Sequence, residues 1–319
     1  MNNRITIKDI AKEFGCSVNC VSRALMDAPD ISEPTKAKIR KLADEMGYVY
    51  NKNAATLRAG KSRTIGILFD NMLNPFFYIM TNYIWDRLDR EGYSIVTFKN
   101  SSALFSETVV RQILSDNVDG LLSFLIPTPD AQKAMEDNSF PMVVIGRKTN
   151  GLCDCVYIND EEGGRVAARA FIQQGYKKPM YLGEISDLDC SVDRGRGFKD
   201  EFDKIGVKTS INYIDLAVVN KYAAFFENVV RSGDMPDCVF CFSDLAAYEV
   251  MSVLDRYKLD IPVIGYDNIQ KEILLPGTLK SVSYDKKEMS ERAVSMLLNK
   301  INGSPESLPH EACIGVGLE

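Results

Sequence analysis

The chain has 319 residues, 45% of them apolar and 26% charged, a composition that predicts a soluble globular protein and excludes a disordered one. No run of about 18 apolar residues occurs, which excludes a membrane-spanning helix. Net charge is −6, but residues 1–63 carry 12 Lys+Arg against 7 Asp+Glu, while the remainder carries 26 against 37. A basic head on an acidic body predicts one polyanionic partner and one that is not. The opening Met1-Asn2-Asn3-Arg4-Ile5-Thr6 lacks the apolar stretch of a signal peptide. Eight cysteines are too sparse for a disulfide scaffold, so reduced thiols in a cytoplasm are expected.

Thr6-Ile7-Lys8-Asp9 reads as a capping box opening a helix with Ile7, Ile10, Ala11 and Phe14 at helical spacing. Gly15 ends it, free to take positive φ. Ser17 caps a second helix through Leu25, and the pair forms a helix-turn-helix. A third helix starts at Ser32 and ends at Gly47, with an apolar face of Ala37, Ile39, Leu42, Ala43 and Met46. In such a unit the second helix enters the major groove. Its exposed candidates are Val18, Asn19, Ser22 and Arg23: Arg can bond guanine bidentately, Asn can read adenine, and Val can meet a thymine methyl. Ser17, Ser22, Ser32, Thr35, Tyr48 and Asn51 suit phosphate contacts, and Thr6 is a further DNA-binding candidate. The competing reading, a helical fragment that only packs on the body, leaves the positive charge without a purpose.

Ile5 to Glu13, Gly15, Ser17, Val21-Ser22-Arg23-Ala24-Leu25, Ser32-Glu33, Gly47-Tyr48 and Asn51 resemble the head of the lactose-repressor (LacI/GalR) family of transcription regulators. Ala54, Leu57, Arg58, Gly60 and Lys61 fall on that family's hinge pattern. The resemblance implies a hinge that orders on operator DNA, with Ala54 and Leu57 at the duplex and Leu57 wedged into the minor groove. The chain departs from the pattern at Tyr50, where proline is usual, and at Asn53 and Ala55; Val18, Asn19 and Cys20 are not the commonest recognition triplet.

From Thr64 the texture changes to short β-branched runs alternating with periodic helices. Strands are predicted at 64–69, 93–98, 119–125, 141–146, 180–183, 212–216, 237–242 and 261–266, with helices between most of them. This predicts an α/β body of two doubly wound parallel-sheet lobes, joined to an N-terminal all-α helix-turn-helix domain. Ligands of such sheets bind beyond the strand C-termini, here in the cleft between lobes.

The resemblance continues through Asn74-Pro75-Phe76-Phe77, Asp119-Gly120, Asn159-Asp160-Glu161-Glu162-Gly163-Gly164, Arg194 with Gly197-Phe198, Ser243-Asp244 and Gly265-Tyr266-Asp267. It implies a periplasmic-binding-protein-like core, a cleft effector and a C2 homodimer on double-stranded operator DNA in the bacterial cytoplasm, at the nucleoid. The implied divisions are 1–49 (helix-turn-helix), 50–62 (hinge), 63–158 plus 286–309 (N-lobe) and 159–285 plus 310–319 (C-lobe). Strand ends and family positions together nominate Asp70, Asn74, Phe76, Arg147, Arg194, Ser243 and Asp267 for the effector. Carboxylates, arginines and a flat aromatic suit a carbohydrate-like small molecule. Ser243 stands where the family commonly has Asn. A co-repressor protein on the N-lobe is a further partner that the resemblance implies.

No cofactor, metal or catalysis is expected. Gly60-Lys61-Ser62 lacks the first glycine of a phosphate loop. Cys238-Val239-Phe240-Cys241 lies in a strand pattern, and Cys153-Asp154-Cys155 has the wrong spacing to complete a zinc site with it. His310 is the only histidine, so no Ser-His-Asp set can form. Asp187, Asp189 and Asp193 read as a solvated acidic loop, and Trp85, off the buried stripe of its helix, as a subunit contact.

Overall fold

The computed structural model describes residues 5–48, 61–71, 73–185, 188–214, 220–275, 278–303 and 310–319. The chain divides into two units, Met1–Ser62 and Arg63–Glu319. Asn51, Ala54 and Leu57 lie outside the described residues.

The head contains α1 (Ile7–Phe14), α2 (Val18–Leu25) and α3 (Glu33–Glu45). The Thr6 amide and hydroxyl both donate to the Asp9 carboxylate, at 2.8 and 2.6 Å, and hold its pKa below the usual range. Gly15, at φ 74°, closes α1. The Ser17 hydroxyl accepts from the Cys20 amide at 3.1 Å, so one orphan donor of α2 is satisfied. Ile10, Val21, Ala24 and Ile39 are sealed from solvent between the helices. The inner face of α3 corrects the predicted one: Ala37 is exposed and Lys36 is buried instead. Positions 36, 39 and 43 are the helical repeat. The Lys36 ammonium reaches Glu33 at 2.6 Å and Asp27 at 3.1 Å, so its stem packs while its charge stays paired.

The body holds two six-stranded sheets. In the N-lobe, β1 (Thr64–Phe69) is followed by α4 (Pro75–Arg90) and β2 (Ser94–Lys99). After β3 (Leu104–Phe105) come α5 (Glu107–Ser115), β4 (Gly120–Ser123), β5 (Ile126–Pro127), α6 (Pro129–Asp137), β6 (Met142–Gly146) and β7 (Cys155–Ile158). The C-lobe continues with α7 (Asp160–Gln174), β8 (Pro179–Gly183), α8 (Asp189–Asp203), β9 (Ser210–Tyr213), α9 (Lys221–Ser232), β10 (Cys238–Cys241), α10 (Asp244–Tyr257), β11 (Val263–Tyr266) and β12 (Lys280–Ser283). Then α11 (Lys286–Ile301), β13 (Glu311–Ile314) and β14 (Gly317–Leu318) close the fold.

The N-lobe sheet runs β13-β7-β6-β4-β1-β2, all parallel, and α11 packs on it beside α4. The C-lobe sheet runs β14-β12-β11-β10-β8-β9, parallel except for antiparallel β14. Residues 310–319 therefore do not all return to the C-lobe, as the sequence led us to expect. β13 pairs with β7 in the N-lobe sheet, Glu311 opposite Cys155, and only β14 reaches the C-lobe. The chain thus changes lobe three times, after β7, after β12 and between β13 and β14. β3 and β5 form a separate pair.

Helices α7 and α8 pack unusually close because glycines face each other across them. A Cβ on Gly164 would strike the Arg194 carbonyl oxygen, and one on Gly197 would strike the Glu161 carbonyl oxygen. This gives the Gly163-Gly164 and Arg194-to-Gly197 landmarks a physical reason: they seat the α8 arginine against the start of α7. Beneath them Phe198, Phe202, Tyr181 and Phe240 are all 0% exposed, with Phe198 centred 5.1 Å from both Phe202 and Phe240. Each such burial contributes about 1.5–3 kcal/mol.

Candidate functional site

In the head, α2 carries the side chains that the sequence nominates for base reading. Asn19 and Arg23 are exposed, Val18 is half-buried against the head core, and Ser22 is only 8% exposed. Ser22 is therefore corrected as a base-reading candidate: it sits on the inward side with Val21, its hydroxyl 3.9 Å from the Met26 sulfur. The Arg23 guanidinium rests on Asp30, with Nη2 at 2.6 Å and Nε at 3.0 Å, and this bond lowers the Asp30 pKa. Ser17 and Ser32 are exposed at helix starts, and the Ser32 hydroxyl lies 2.8 Å from that of Thr35. Thr6 is bound to Asp9, and Tyr48 is half-buried against the core.

In the body, residues that follow β1, β4 and β6 in one lobe and β8, β10 and β11 in the other converge on a cavity of about 460 Å³. Asp70, Asn74, Phe76, Arg147, Arg194, Ser243 and Asp267 all line it. Their states differ. The Asn74 and Ser243 side chains are engaged as helix caps, accepting from the amides of Phe76 at 3.1 Å and Ala246 at 3.3 Å. Phe76 stands edge-on to Phe77 and Phe124, with centroids 5.2 and 5.8 Å away, and these rings form an aromatic wall. Arg147 donates through Nη1 to the Ala103 carbonyl at 2.9 Å and reaches across the cleft to Asp189, Nη2 to Oδ2, at 3.5 Å. Its Nε is buried without a partner among the described residues, as is Oδ1 of Asp70. Burial pushes the Asp70 carboxyl up, against the pull of the Asp70 and Asn71 amides and of Arg147.

Arg194 is almost wholly committed inside the protein. Nε donates to Asp160 at 2.7 Å and Nη1 to the Phe242 carbonyl at 2.6 Å. The guanidinium lies 3.4 Å from the Tyr266 ring centroid and 4.6 Å from that of Phe242. Burial works hardest against this cation, but Asp160 together with Tyr266, Asp267 and Cys190 outweighs it and keeps the pKa above its ordinary value. Burial also pushes the Asp160 carboxyl up, against the attraction of Arg194. Asp267 holds a φ of 93°, a region costly for a side-chain-bearing residue. That backbone turns its carboxylate to the Tyr284 hydroxyl, which donates to Oδ1 at 2.9 Å.

Sequence reasoning missed a group on the C-lobe wall. Glu184 receives a hydrogen bond from Lys221 Nζ and one from the Tyr222 hydroxyl at 2.7 Å. Glu249 accepts from the Tyr222 and Ala223 amides at 2.9 and 3.1 Å and so caps α9. Burial raises the Glu184 pKa, against Lys221 and Tyr222. Glu184 follows β8 directly, and the strand-end rule that found Asp70 and Arg147 applies to it equally. Lys221 and Tyr222 enter on a helix start that no pattern marks.

The acidic loop reading is corrected in part: Asp189 begins α8 and pairs with Arg147, and Asp193 pairs with Arg196, while Asp187 lies outside the described residues. Cys238 and Cys241 are buried within β10. No metal-holding group of His, Cys, Asp and Glu occurs among the described residues, nor does any described helix have the length and apolarity to cross a membrane.

A helix-turn-helix head carried with a two-lobed body whose strand ends meet at a cavity defines a DNA-binding regulator with a ligand-binding domain. Residues 6–51 match the profile of bacterial regulatory proteins of the lacI family, and residues 168–318 that of a periplasmic binding protein-like domain. The chain thus joins a head like that of the lacI family of bacterial regulatory proteins to a periplasmic binding protein-like domain. It is 28% identical over 312 residues to the HTH-type transcriptional repressor PurR of Vibrio atlanticus, covering 93% of this chain and 92% of that one. It is 26% identical over 318 residues to the HTH-type transcriptional regulator MalR of Clostridium butyricum, covering 95% of each. The lac repressor dimer bound to operator and the anti-inducer ONPF superposes with TM-score 0.85 at 20% identity, over 99% of this chain and 98% of that one. A LacI family regulator of Enterococcus faecium with bound ribose gives TM-score 0.71 at 21% identity, over 80% and 96%. At these identities the two structures speak to the fold.

Proposed function

We propose that this regulator is a homodimeric repressor whose two heads read a two-fold symmetric operator, and whose affinity for that operator is set by a polyhydroxylated small molecule in the cleft. One head covers a half-site, and two heads are spaced by the symmetry of the dimer. Asn19 and Arg23 reach base edges from α2; Val18 meets a thymine methyl; Thr6, Ser17, Ser32, Thr35, Tyr48 and Asn51 hold phosphates; Leu57, beside Ala54, wedges the minor groove. Arg23 must leave Asp30 to bond guanine, so Asp30 holds it in place until DNA arrives. The dimer surface is assigned to α4, where Tyr78 and Trp85 stand 68% and 55% exposed two turns apart.

The observation that carries the effector reading is the cavity itself: an aromatic wall at Phe76 and Phe124, with polar atoms on Asp70 and Arg147 that are buried and, among the described residues, unpartnered. A ring with several hydroxyls covers the first and satisfies the second. Because Arg147 and Asp189 come from opposite lobes, a ligand at that pair changes how the lobes close. A coupling of about 1–3 kcal/mol then changes operator affinity about 5–150-fold. A co-repressor protein on the N-lobe is compatible with the same mechanism; full operator affinity of the pure protein, if measured, would argue against it. The setting is the bacterial cytoplasm, at the nucleoid.

Operator binding is the test. Selection from random duplexes, followed by anisotropy titration, is expected to return a two-fold symmetric site with steep salt dependence. Arg23→Ala should weaken it by about 1–3 kcal/mol and relax one base position. Unchanged affinity for both Arg23→Ala and Leu57→Ala would contradict the reading.

A further inference from the structure

Three cations line the cavity among the described residues, and each already has a carboxylate of its own: Arg194 with Asp160, Lys221 with Glu184, and Arg147 with Asp189. Segments 186–187 and 215–219, which flank lining residues in the sequence, contain no Lys or Arg. The acids are in surplus. Asp70 Oδ1 is buried in the cavity wall with no hydrogen-bond partner among the described residues, and the Asp267 carboxylate, near Arg194, accepts a hydrogen bond from the Tyr284 hydroxyl. A phosphate or carboxylate entering this space would find each of these cations already beside a carboxylate, with only the Nε donor of Arg147 unpartnered among the described residues, and would face these two acids. A hydroxyl or ammonium group would donate to Asp70 and satisfy it.

We propose that the cleft selects against anions: its ligand is an uncharged or amine-bearing polyol, its phosphorylated forms are excluded, and Asp70 fixes that choice. This rests on the reading that the cavity holds a polyhydroxylated effector. Glu184 is the second element of the filter, because it occupies the ammonium of Lys221 that a phosphate would otherwise take. A buried acceptor left unsatisfied penalises a ligand that lacks the matching donor more than a good contact rewards one that has it.

The experiment is thermal unfolding and titration calorimetry of the full chain. The probes are glucose, ribose, cellobiose and glucosamine, against glucose 6-phosphate, ribose 5-phosphate and inorganic phosphate. The expected result is stabilisation by at least one unphosphorylated sugar and binding of its phosphate ester about tenfold or more weaker. Asp70→Asn should weaken the sugar about tenfold while leaving the ligand-free melting temperature unchanged or higher. Glu184→Gln, checked for native circular dichroism, should gain affinity for the phosphate esters. A phosphate ester bound as tightly as its parent sugar by the wild-type protein would overturn the proposal and leave the effector reading standing. If no sugar of either kind stabilises the protein, the effector reading itself falls, and the proposal with it.

Discussion

Replacing Arg194 with Met tests whether this arginine supports the body or serves only the ligand. Arg194 and Asp160 are 5% and 7% exposed, and one short bond joins them. The substitution keeps much of the side-chain volume but leaves Asp160 a buried carboxylate without its cation, a loss of about 3–5 kcal/mol. For a unit of this size 1 kcal/mol moves the melting temperature by about 2–4 °C, so the body should melt roughly 6–20 °C earlier. The loss depends on pH. Burial already raises the Asp160 pKa, and removing Arg194 raises it further. A carboxyl whose folded pKa exceeds its unfolded one binds its proton more tightly in the native state, so the penalty is full above the folded pKa and fades as pH falls toward the unfolded value. Urea unfolding followed by circular dichroism should show the variant closer to wild type at pH 5 than at pH 8. A second change, Asp160→Leu, should restore most of the stability. A loss below about 1 kcal/mol, the scale of an exposed ion pair, or a double variant no more stable than the single one, would refute the reasoning.

Gly164→Ala should cost about 1–3 kcal/mol in the same assay, because its Cβ meets the backbone of α8 and not a movable side chain. Trp85→Lys should shift the protein toward monomer in sedimentation velocity, by about 30-fold or more in the dimer constant; an unchanged dimer would remove α4 from the interface. Burial pushes the Asp244 carboxyl up to about 7, against its hydrogen bond from Ser281. Its native pKa lies above its unfolded one, so wild-type stability should fall as pH rises from about 4 through 7 and then level. Asp244→Asn should lose that slope, and its stability relative to wild type should improve between pH 5.5 and 8.5; parallel profiles would refute the assignment.

What the sequence made legible follows the strength of local signals. β1 was bounded correctly because Thr64–Phe69 is a continuous buried run between polar flanks. The α1 and α2 starts were readable because Thr6 pairs with the Asp9 carboxylate three residues on and Ser17 caps its helix through its own side chain. β14 carried too few residues to stand out, while β7, β12 and β13, no shorter than the β4, β10 and β11 that were read, take their places from pairing with distant strands. Register on α3 failed at Ala37 because small and long residues look alike to a periodicity argument, while Lys36 could be buried only with Asp27 and Glu33 to hold its charge. Ser22 failed for the same reason. The cleft residues at strand ends were found by topology. Lys221 and Tyr222 were not, because they enter from a helix start set by a tertiary partner, Glu249.

The three lobe changes have a consequence for synthesis on the ribosome. β13 and β14 complete opposite edges of the two sheets, and both lie within residues 311–318. Neither lobe can close its sheet until that stretch has left the exit tunnel, so the two are finished together. A message truncated a few codons before it would strip an outer strand from each lobe at once, leaving two raw edges on a nascent chain prone to aggregate.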